Sequence, residues 1–229
     1  MTRPTFDLLA AAWRDLAAHT AAGGIGPSNV FVPWAGKQLI VKSRGIYYVG
    51  IAPDKKPLSG KQSFKARLRS TEDFCGELSL GHAPFWAFLN QLTLKIFGRA
   101  YDETQDLWGW SNLLKIAGVR ESPEKWPSSL IDRQRAACIA ALKEEIVRLR
   151  DSLIVVASTY HYGILYEVFG EERLWNKNDR PGGTYHRRDP VTGNIFVHCY
   201  HPRPALQKRF FDEAVAEIVG LVRQRLPPF

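Results

Sequence analysis

Three short stretches of the sequence carry residues suited to holding a small polar ring. Residues 50–54 read GIAPD, in which the glycine would let the backbone approach a ligand and the proline would fix the turn. Asn112 offers a hydrogen-bond donor and an acceptor side by side, the geometry that reads a nucleobase edge. His201 precedes Pro202 at the end of an apolar run, where it could donate to a buried acceptor. Each stretch also has a structural interpretation, as a strand-to-loop turn, a turn-closing asparagine or a packed histidine.

Basic residues follow directly on the GIAPD stretch. No acid occurs between Asp54 and Glu72, and this interval holds Lys55, Lys56, Lys61, Lys65, Arg67 and Arg69. Such runs are commonly solvated loops, but this one leaves the proposed pocket wall, where a phosphate-binding rim would need its charge. The whole chain has a net charge of +8, from 31 Lys and Arg against 23 Asp and Glu. This excess favours a polyanionic partner such as nucleic acid.

A different chemistry is open at residues 158–161, which read STYH. They follow a buried-looking strand and precede a helix, as the nucleophile of a serine hydrolase does. The glycines of the GxSxG motif are absent. A small-molecule α/β enzyme that uses Ser158 or His161 is therefore an alternative hypothesis.

Neither a metal nor a cofactor is predicted. The chain has three cysteines without a CxxC pair, and His82 and His186 are too scattered to suggest a metal site. The cysteines are best interpreted as reduced thiols of a cytoplasmic protein. No apolar run approaches the about 20 residues that a membrane span needs. We expect a soluble, cytoplasmic monomer with no membrane partner.

The elements that must position these residues follow from hydrophobic periodicity. Helical spacing predicts helices over residues 5–21, 85–97, 129–150, 162–169 and 206–222, the third of them starting with a capping box formed by Ser129 and Asp132. Apolar and β-rich runs predict strands over residues 38–42, 46–51, 107–114, 152–157 and 195–200, the first two joined as a hairpin or bent pair. The polar residues 171–194 are interpreted as a long loop of functional importance.

Four buried-looking strands separated by helices predict a single α/β domain over residues 1–229, with an open and mostly parallel sheet. In such folds ligands bind beyond the carboxyl ends of the strands. The residues to compare are therefore 50–56, Asn112, 158–161 and 201–204.

Five stretches, taken in order, resemble the uracil-DNA glycosylase superfamily. They read GIAP, GHAPFWAFL, WSNLLKI, SLIVVAS and FVHCYHPRP, and they extend over about residues 46–210. The resemblance implies a three-layer α/β/α fold around a mostly parallel, four-stranded sheet. It also implies a DNA glycosylase, which flips a deaminated or damaged base out of DNA and excises it by hydrolysis of the N-glycosidic bond.

The resemblance assigns a role to each motif. In the superfamily a G-x-x-P turn holds the hydrolytic water, a Phe-Trp pair begins a helix, an asparagine after the second strand reads the pyrimidine, and an HPSP-like turn closes the site. It therefore implies Asn112 as the base reader, His201 as the donor to the base oxygen and Asp54 as the nearest acid. The implied base pocket comprises Gly50, Ile51, Ala52, Pro53, Phe64, Phe74 and Phe85, and the implied phosphate contacts are Lys55, Lys56, Lys61, Arg67, Arg69 and Arg203.

The motifs also depart from the superfamily pattern. Ala52 stands where members carry a water-activating Asp or Asn, and Ile51 where another class has Glu. Arg203 replaces the serine of the closing turn, and Ala205 stands where a wedge leucine often sits. A glycosylase-like fold that has lost its chemistry and only binds nucleic acid is therefore a second hypothesis.

Overall fold

The computed structural model describes residues 2–20, 30–42, 45–51, 84–99, 102–116, 127–158, 162–170, 184–200, 202 and 208–225. Six α-helices lie in these ranges: α1 Arg3–Thr20, α2 Lys37–Lys42, α3 Pro84–Phe97, α4 Ser128–Val147, α5 Tyr162–Phe169 and α6 Lys208–Arg225. Six strands accompany them: β1 Trp34–Ala35, β2 Ile46–Gly50, β3 Trp108–Asn112, β4 Leu153–Ala157, β5 Tyr185–Arg188 and β6 Ile195–Cys199. A 3₁₀ helix, Asp102–Leu107, leads into β3.

The strands form one mixed sheet in the order β1-β3-β2-β4-β6-β5. The four inner strands pair in parallel, and the edge strands β1 and β5 pair antiparallel to their neighbours. The predicted α/β class is confirmed. The sheet has six strands and not the predicted four, because one antiparallel strand is added at each side of the four parallel ones. β5 lies within residues 171–194, for which the sequence predicts a loop throughout, so that prediction is wrong for Tyr185–Arg188. Its sequence, YHRR, is polar because an edge strand needs less apolar cover than an inner one.

The predicted strand over residues 38–42 is wrong, and so is the hairpin that it would form. The chain leaves β1 at Gly36, whose N–H donates to the carbonyl oxygen of Trp108, and then turns into the short helix α2. Leu39 of this helix is fully buried, whereas Ile40 is half exposed. The β-branched Ile and Val of this segment suggest a strand, but the packing of this short helix overrides that local preference.

Helices cover both faces of the sheet. On one face, here called the α3/α6 face, Tyr48 of β2 and Trp108 of β3 pack with Leu89 of α3 and Ile218 of α6. On the opposite α4/α5 face, the residues of β2 and β4 that alternate with these pack against α4 and α5. Every residue of β2, β4 and β6 is buried, which explains why these strands read as continuous apolar runs.

The five predicted helices are present as α1, α3, α4, α5 and α6; α5 has the predicted bounds, and the ends of the others are shifted. The capping box at Ser129 is wrong: Pro127 is the N-cap residue of α4, and no side-chain hydrogen bond caps this helix. A proline there fits a first turn whose N–H groups have no partner within the helix. Among the described residues, no helix combines the length and the apolar character needed to cross a lipid bilayer.

The chain order favours a ligand-binding crevice at the end of the sheet where the parallel strands terminate. Strands β2 and β4 are neighbours, yet the next helix described after β2 is α3, on one face, and the next after β4 is α5, on the other. Where successive connections leave to opposite faces, the carboxyl ends of the strands frame a crevice that binds ligands in open α/β proteins. The last residues of β2 and β3 are Gly50 and Asn112.

Candidate functional site

The site begins with the contact between Gly50 and Asn112. These two residues pair across the parallel strands β2 and β3. A Cβ atom placed on Gly50 would lie 2.7 Å from Oδ1 of Asn112 and 3.6 Å from the Phe85 ring atoms Cε2 and Cζ. The Asn112 carboxamide therefore packs directly over the Gly50 backbone, beneath the first turn of α3. Three of the residues predicted from separate motifs, Gly50, Phe85 and Asn112, meet at this point.

Asn112 combines deep burial with an unpaired donor. Its side chain is 1% exposed, and among the described residues Nδ2 has no hydrogen-bond partner. A buried amide donor without an acceptor costs about 1–3 kcal/mol. Such a group is well suited to donate to a carbonyl oxygen that enters the crevice, because forming that bond removes this penalty.

A row of aromatic rings lies on the same face of the sheet as Asn112. Phe85 contacts Trp86 edge to face at 5.0 Å, Trp86 contacts Trp110 at 4.9 Å, and Trp110 contacts Phe31 at 4.6 Å between ring centroids. Trp110 packs on the α3/α6 face. Asn112 lies two positions further along β3, so its side chain is on the same face. The carboxamide thus lies beside an apolar, aromatic wall, the surroundings that a planar heterocycle prefers.

Helix α3 carries Phe85 and is anchored to the sheet by buried polar contacts. The hydroxyl of Tyr48 on β2 hydrogen-bonds to the hydroxyl of Thr93 at 3.0 Å, and Thr93 donates to the carbonyl oxygen of Leu89 at 2.7 Å. Burial raises the pKa of Tyr48 well above its usual range, so this hydroxyl stays protonated. The anchor fixes α3, and with it Phe85, relative to the strand that ends in Gly50.

The chain beyond β2 and β3 stays paired for two more residues. The N–H of Leu113 donates to the carbonyl oxygen of Gly50 at 2.8 Å, and that of Leu114 donates to Ile51 at 2.9 Å. Ile51 is 8% exposed and apolar. Its side chain therefore offers neither an acid nor a base.

A buried polar cluster lies on the opposite, α4/α5 face, directly behind Asn112. The Glu145 carboxylate of α4 accepts hydrogen bonds from Tyr47 of β2 at 2.9 Å and from Ser111 of β3 at 2.7 Å. Nζ of Lys115 lies 2.8 Å from Oε1 of Glu145 and also donates to the Ser111 hydroxyl. Burial, and the charge of Glu145, raise the pKa of Tyr47 well above its usual value. We call these four residues the carboxylate cluster.

Sequence reasoning missed the carboxylate cluster, although one signal was present. Glu145 lies three positions after Leu142 and four after Ala141, on the buried stripe of α4. A charged residue on such a stripe needs a buried partner of opposite charge. Lys115 follows the strand end by three residues and could have been proposed as that partner.

The arrangement at Ser158 does not match an exposed nucleophile. Ser158 is fully buried, and Nε2 of His198 hydrogen-bonds to its backbone carbonyl oxygen at 2.8 Å. A nucleophile turn instead presents its hydroxyl at the open edge of the sheet. His161, the other residue of this hypothesis, lies outside the described residues.

Several predicted site residues lie outside the described part of the chain, so the structure gives no position for them. They are Ala52, Pro53, Asp54, Lys55, Lys56, Lys61, Phe64, Arg67, Arg69, Phe74, His201 and Arg203. The strand before His201, β6, is parallel to β2 and β3 through β4 and ends at Cys199, on the same edge of the sheet as Gly50 and Asn112.

The fold and this edge define an α/β protein with a buried carboxamide at the carboxyl ends of parallel strands. Comparison of the sequence with protein-family models gave no match, and a search of curated proteins gave none either. The function must therefore be inferred from the geometry of the site and the residues that form it.

Proposed function

We propose that the protein is a DNA glycosylase with a three-layer α/β/α fold like that of the uracil-DNA glycosylase superfamily. One observation carries the proposal: a buried asparagine with an unpaired amide donor is packed on a strand-end glycine beside an aromatic wall. These are the parts needed to receive a base that has left the helical stack. The order of the motifs along the chain and the net charge of +8 support the same conclusion.

The donor of Asn112 favours bases that present an oxygen. Its Oδ1 packs toward Gly50, which leaves Nδ2 to bind the incoming ring. Deamination replaces an exocyclic amino group by a carbonyl, so uracil and hypoxanthine offer an acceptor where cytosine and adenine offer a donor. Two donors facing each other in a buried site are unfavourable, so cytosine and adenine are rejected by that mismatch.

Hydrolysis would require stabilisation of a base that leaves with negative charge. Water adds to C1′ of the sugar and gives up a proton, while the base departs with the electrons of the C1′–N bond and is protonated. A hydrogen bond to the base oxygen is stronger in that transition state, and such a donor contributes about 10²- to 10³-fold in rate. We assign this role to His201. Strand alternation predicts that His201 shares a face with Val197 and Cys199, and both pack on the α3/α6 face, as Asn112 does.

The first turn supplies less catalytic help than in typical members. Ile51 is buried and apolar, and Ala52 has no polar side chain. A general base contributes typically about 10²- to 10⁴-fold. Unless Asp54 activates the water, excision would be slower by that factor. The apolar residues Ile51 and Ala52 also favour the second hypothesis, a fold that binds lesions without cleaving them.

The test is base excision on defined oligonucleotides. Single- and double-stranded DNA that contains uracil, hypoxanthine or xanthine is incubated with the protein, and hot alkali then cleaves any abasic site. We expect strand cleavage with at least one lesion, and a loss of about 10²- to 10³-fold in the Asn112→Ala variant. As a matched control, Gln91→Ala removes a carboxamide on α3 that donates to Asp212 and should retain the rate.

The other outcomes separate the hypotheses. Lesion-dependent retention of DNA without cleavage would replace the enzyme by the binding protein, and a steep salt dependence would identify phosphate contacts. If the protein neither cleaves nor binds any lesion DNA at low salt, both the glycosylase hypothesis and the binding-protein hypothesis are excluded.

A further inference from the structure

The carboxylate cluster joins β2, the end of β3 and helix α4 on the face of the sheet opposite the proposed base-binding site. Glu145 of α4 holds Tyr47, three residues before Gly50 on β2, and Ser111, the residue before Asn112 on β3. Lys115, three residues after Asn112, completes the cluster through its bonds to Glu145 and Ser111. All four side chains are buried, and Lys115 and Ser111 are fully so.

The backbone that follows Asn112 is fixed by the same helix. The N–H of Lys115 donates to Sγ of Cys138, and the amide group of Gln134 bonds to both the N–H and the carbonyl oxygen of Ile116. These contacts, like those of Glu145, come from α4. The segment that carries Asn112 is therefore held from the face opposite the crevice.

The Asn112 side chain itself has little to fix it on the crevice face. Its Nδ2 has no partner among the described residues, and its Oδ1 lies over a glycine that has no side chain. The direction of the carboxamide must then be set mainly by the position of the β3 backbone. A site that recognises a base by hydrogen bonds needs this direction held within a fraction of an ångström.

Stability alone does not explain the cluster. Removing two charges from water is unfavourable, and apolar residues of similar volume in place of a buried ion pair are often as stable or more so. A buried network of hydrogen bonds and an ion pair does, however, impose one arrangement on the elements that it joins.

We propose that Tyr47, Ser111, Lys115 and Glu145 are positioning residues that hold the ends of β2 and β3, and thereby Gly50 and Asn112, in the geometry that binds a flipped base. The inference rests on the proposed function, in which Asn112 reads the base. The cluster does not touch the base itself. It acts through the strand that carries Asn112.

The test replaces the whole cluster by apolar residues. The quadruple variant Tyr47→Phe, Ser111→Ala, Lys115→Met and Glu145→Leu leaves no buried charge and no hydroxyl without a partner, so it should fold. Two measurements are made on the parent and the variant: kcat and KM for lesion DNA, and the ¹H–¹⁵N signals of the Asn112 side-chain amide, assigned by their loss in Asn112→Ala. Phe169→Leu, which loosens packing against Phe196 of β6, controls for destabilisation in general.

We expect the quadruple variant to lose about 10²-fold in kcat, with KM within about twofold, because phosphate contacts are unaffected. Its Asn112 amide signals should shift or double, while Phe169→Leu changes neither measurement. A folded quadruple variant with the parent's kcat and the parent's Asn112 signals would overturn the proposal.

Two further measurements cover the cases in which the quadruple variant does not fold or the parent excises no lesion. If the quadruple variant does not fold, Ser111→Ala and Tyr47→Phe are measured instead, and the serine next to Asn112 should have the larger effect. If the parent excises no lesion, the proposed function fails. The amide signals, which require no turnover, then decide the positioning role by themselves.

Discussion

Replacing Gly50 by alanine tests whether the packing of the Asn112 carboxamide determines activity. The new Cβ would lie 2.7 Å from Oδ1 of Asn112, whereas ordinary contacts begin near 3.4 Å, so the carboxamide oxygen must move by about 0.7 Å. The Phe85 ring, at 3.6 Å, needs no movement. Overpacking a core costs typically about 1–3 kcal/mol, and here it falls on the end of one side chain, so we expect the low end of that range.

The functional effect should exceed the effect on stability. A displacement of about 1 Å in a positioned group can lower a rate by about 10²-fold, so we expect excision by Gly50→Ala to fall between about tenfold and 10²-fold. The assay is single-turnover excision from the lesion DNA that the parent cleaves best, with thermal unfolding measured in parallel.

Gly220→Ala is the matched control. A Cβ on Gly220, within α6, would have no neighbour within 4 Å. This variant should gain about 0.5–1 kcal/mol of stability from helix propensity and retain the parent's excision rate. If folded Gly50→Ala also excised at the parent's rate, the carboxamide would not be confined by Gly50, and our account of the site would be refuted.

Three further predictions concern recognition, the buried ion pair and pH. Asn112→Asp replaces the amide donor by a carboxylate, so affinity for lesion DNA should fall by more than about tenfold in a fluorescence-anisotropy titration, and unchanged affinity would contradict base reading by Asn112. Lys115→Met leaves the Glu145 carboxylate buried and unpaired, so urea unfolding should show a loss of about 3–5 kcal/mol, and a loss below about 1 kcal/mol would contradict burial of the pair. Burial, and to a lesser degree the charge of Arg225, lower the pKa of the His186 imidazole from its unfolded-state value of 6.5. The contribution of the neutral imidazole to folding stability is therefore present above pH 6.5 and is lost as the pH falls through the lower pKa of the folded state. The urea midpoint should therefore decrease from pH 7.5 to pH 5 by less in His186→Gln than in the parent, and equal decreases would exclude His186 as a source.

The sequence predicted the inner strands well because their physics is local and unambiguous. β4 reads LIVVA and is buried on both faces, so its apolar run has no other good interpretation. The meeting of Gly50 and Asn112 followed from the rule that parallel strands end at one edge, and the structure confirms it. Whether His201 joins them stays a prediction.

The parts that the sequence did not reveal depend on tertiary partners. β1 has two residues and exists only because Trp34 and Ala35 pair with β3. Helix α2 has the composition of a strand. The ion pair between Lys115 and Glu145 joins residues 30 positions apart, and no periodicity links them. Each of these features is decided by a contact that the local sequence does not contain.

The central place of β2 in the sheet has a consequence for how the molecule folds. Ile46 pairs with Trp108 on one side and with Leu153 on the other, so both pairings close loops of more than 60 residues. Among the described strands only β5 and β6 can join as a local hairpin. Because long loops must close before such pairings form, we expect slow folding, in which β2 finds no partner on a growing chain until β3 has been synthesised.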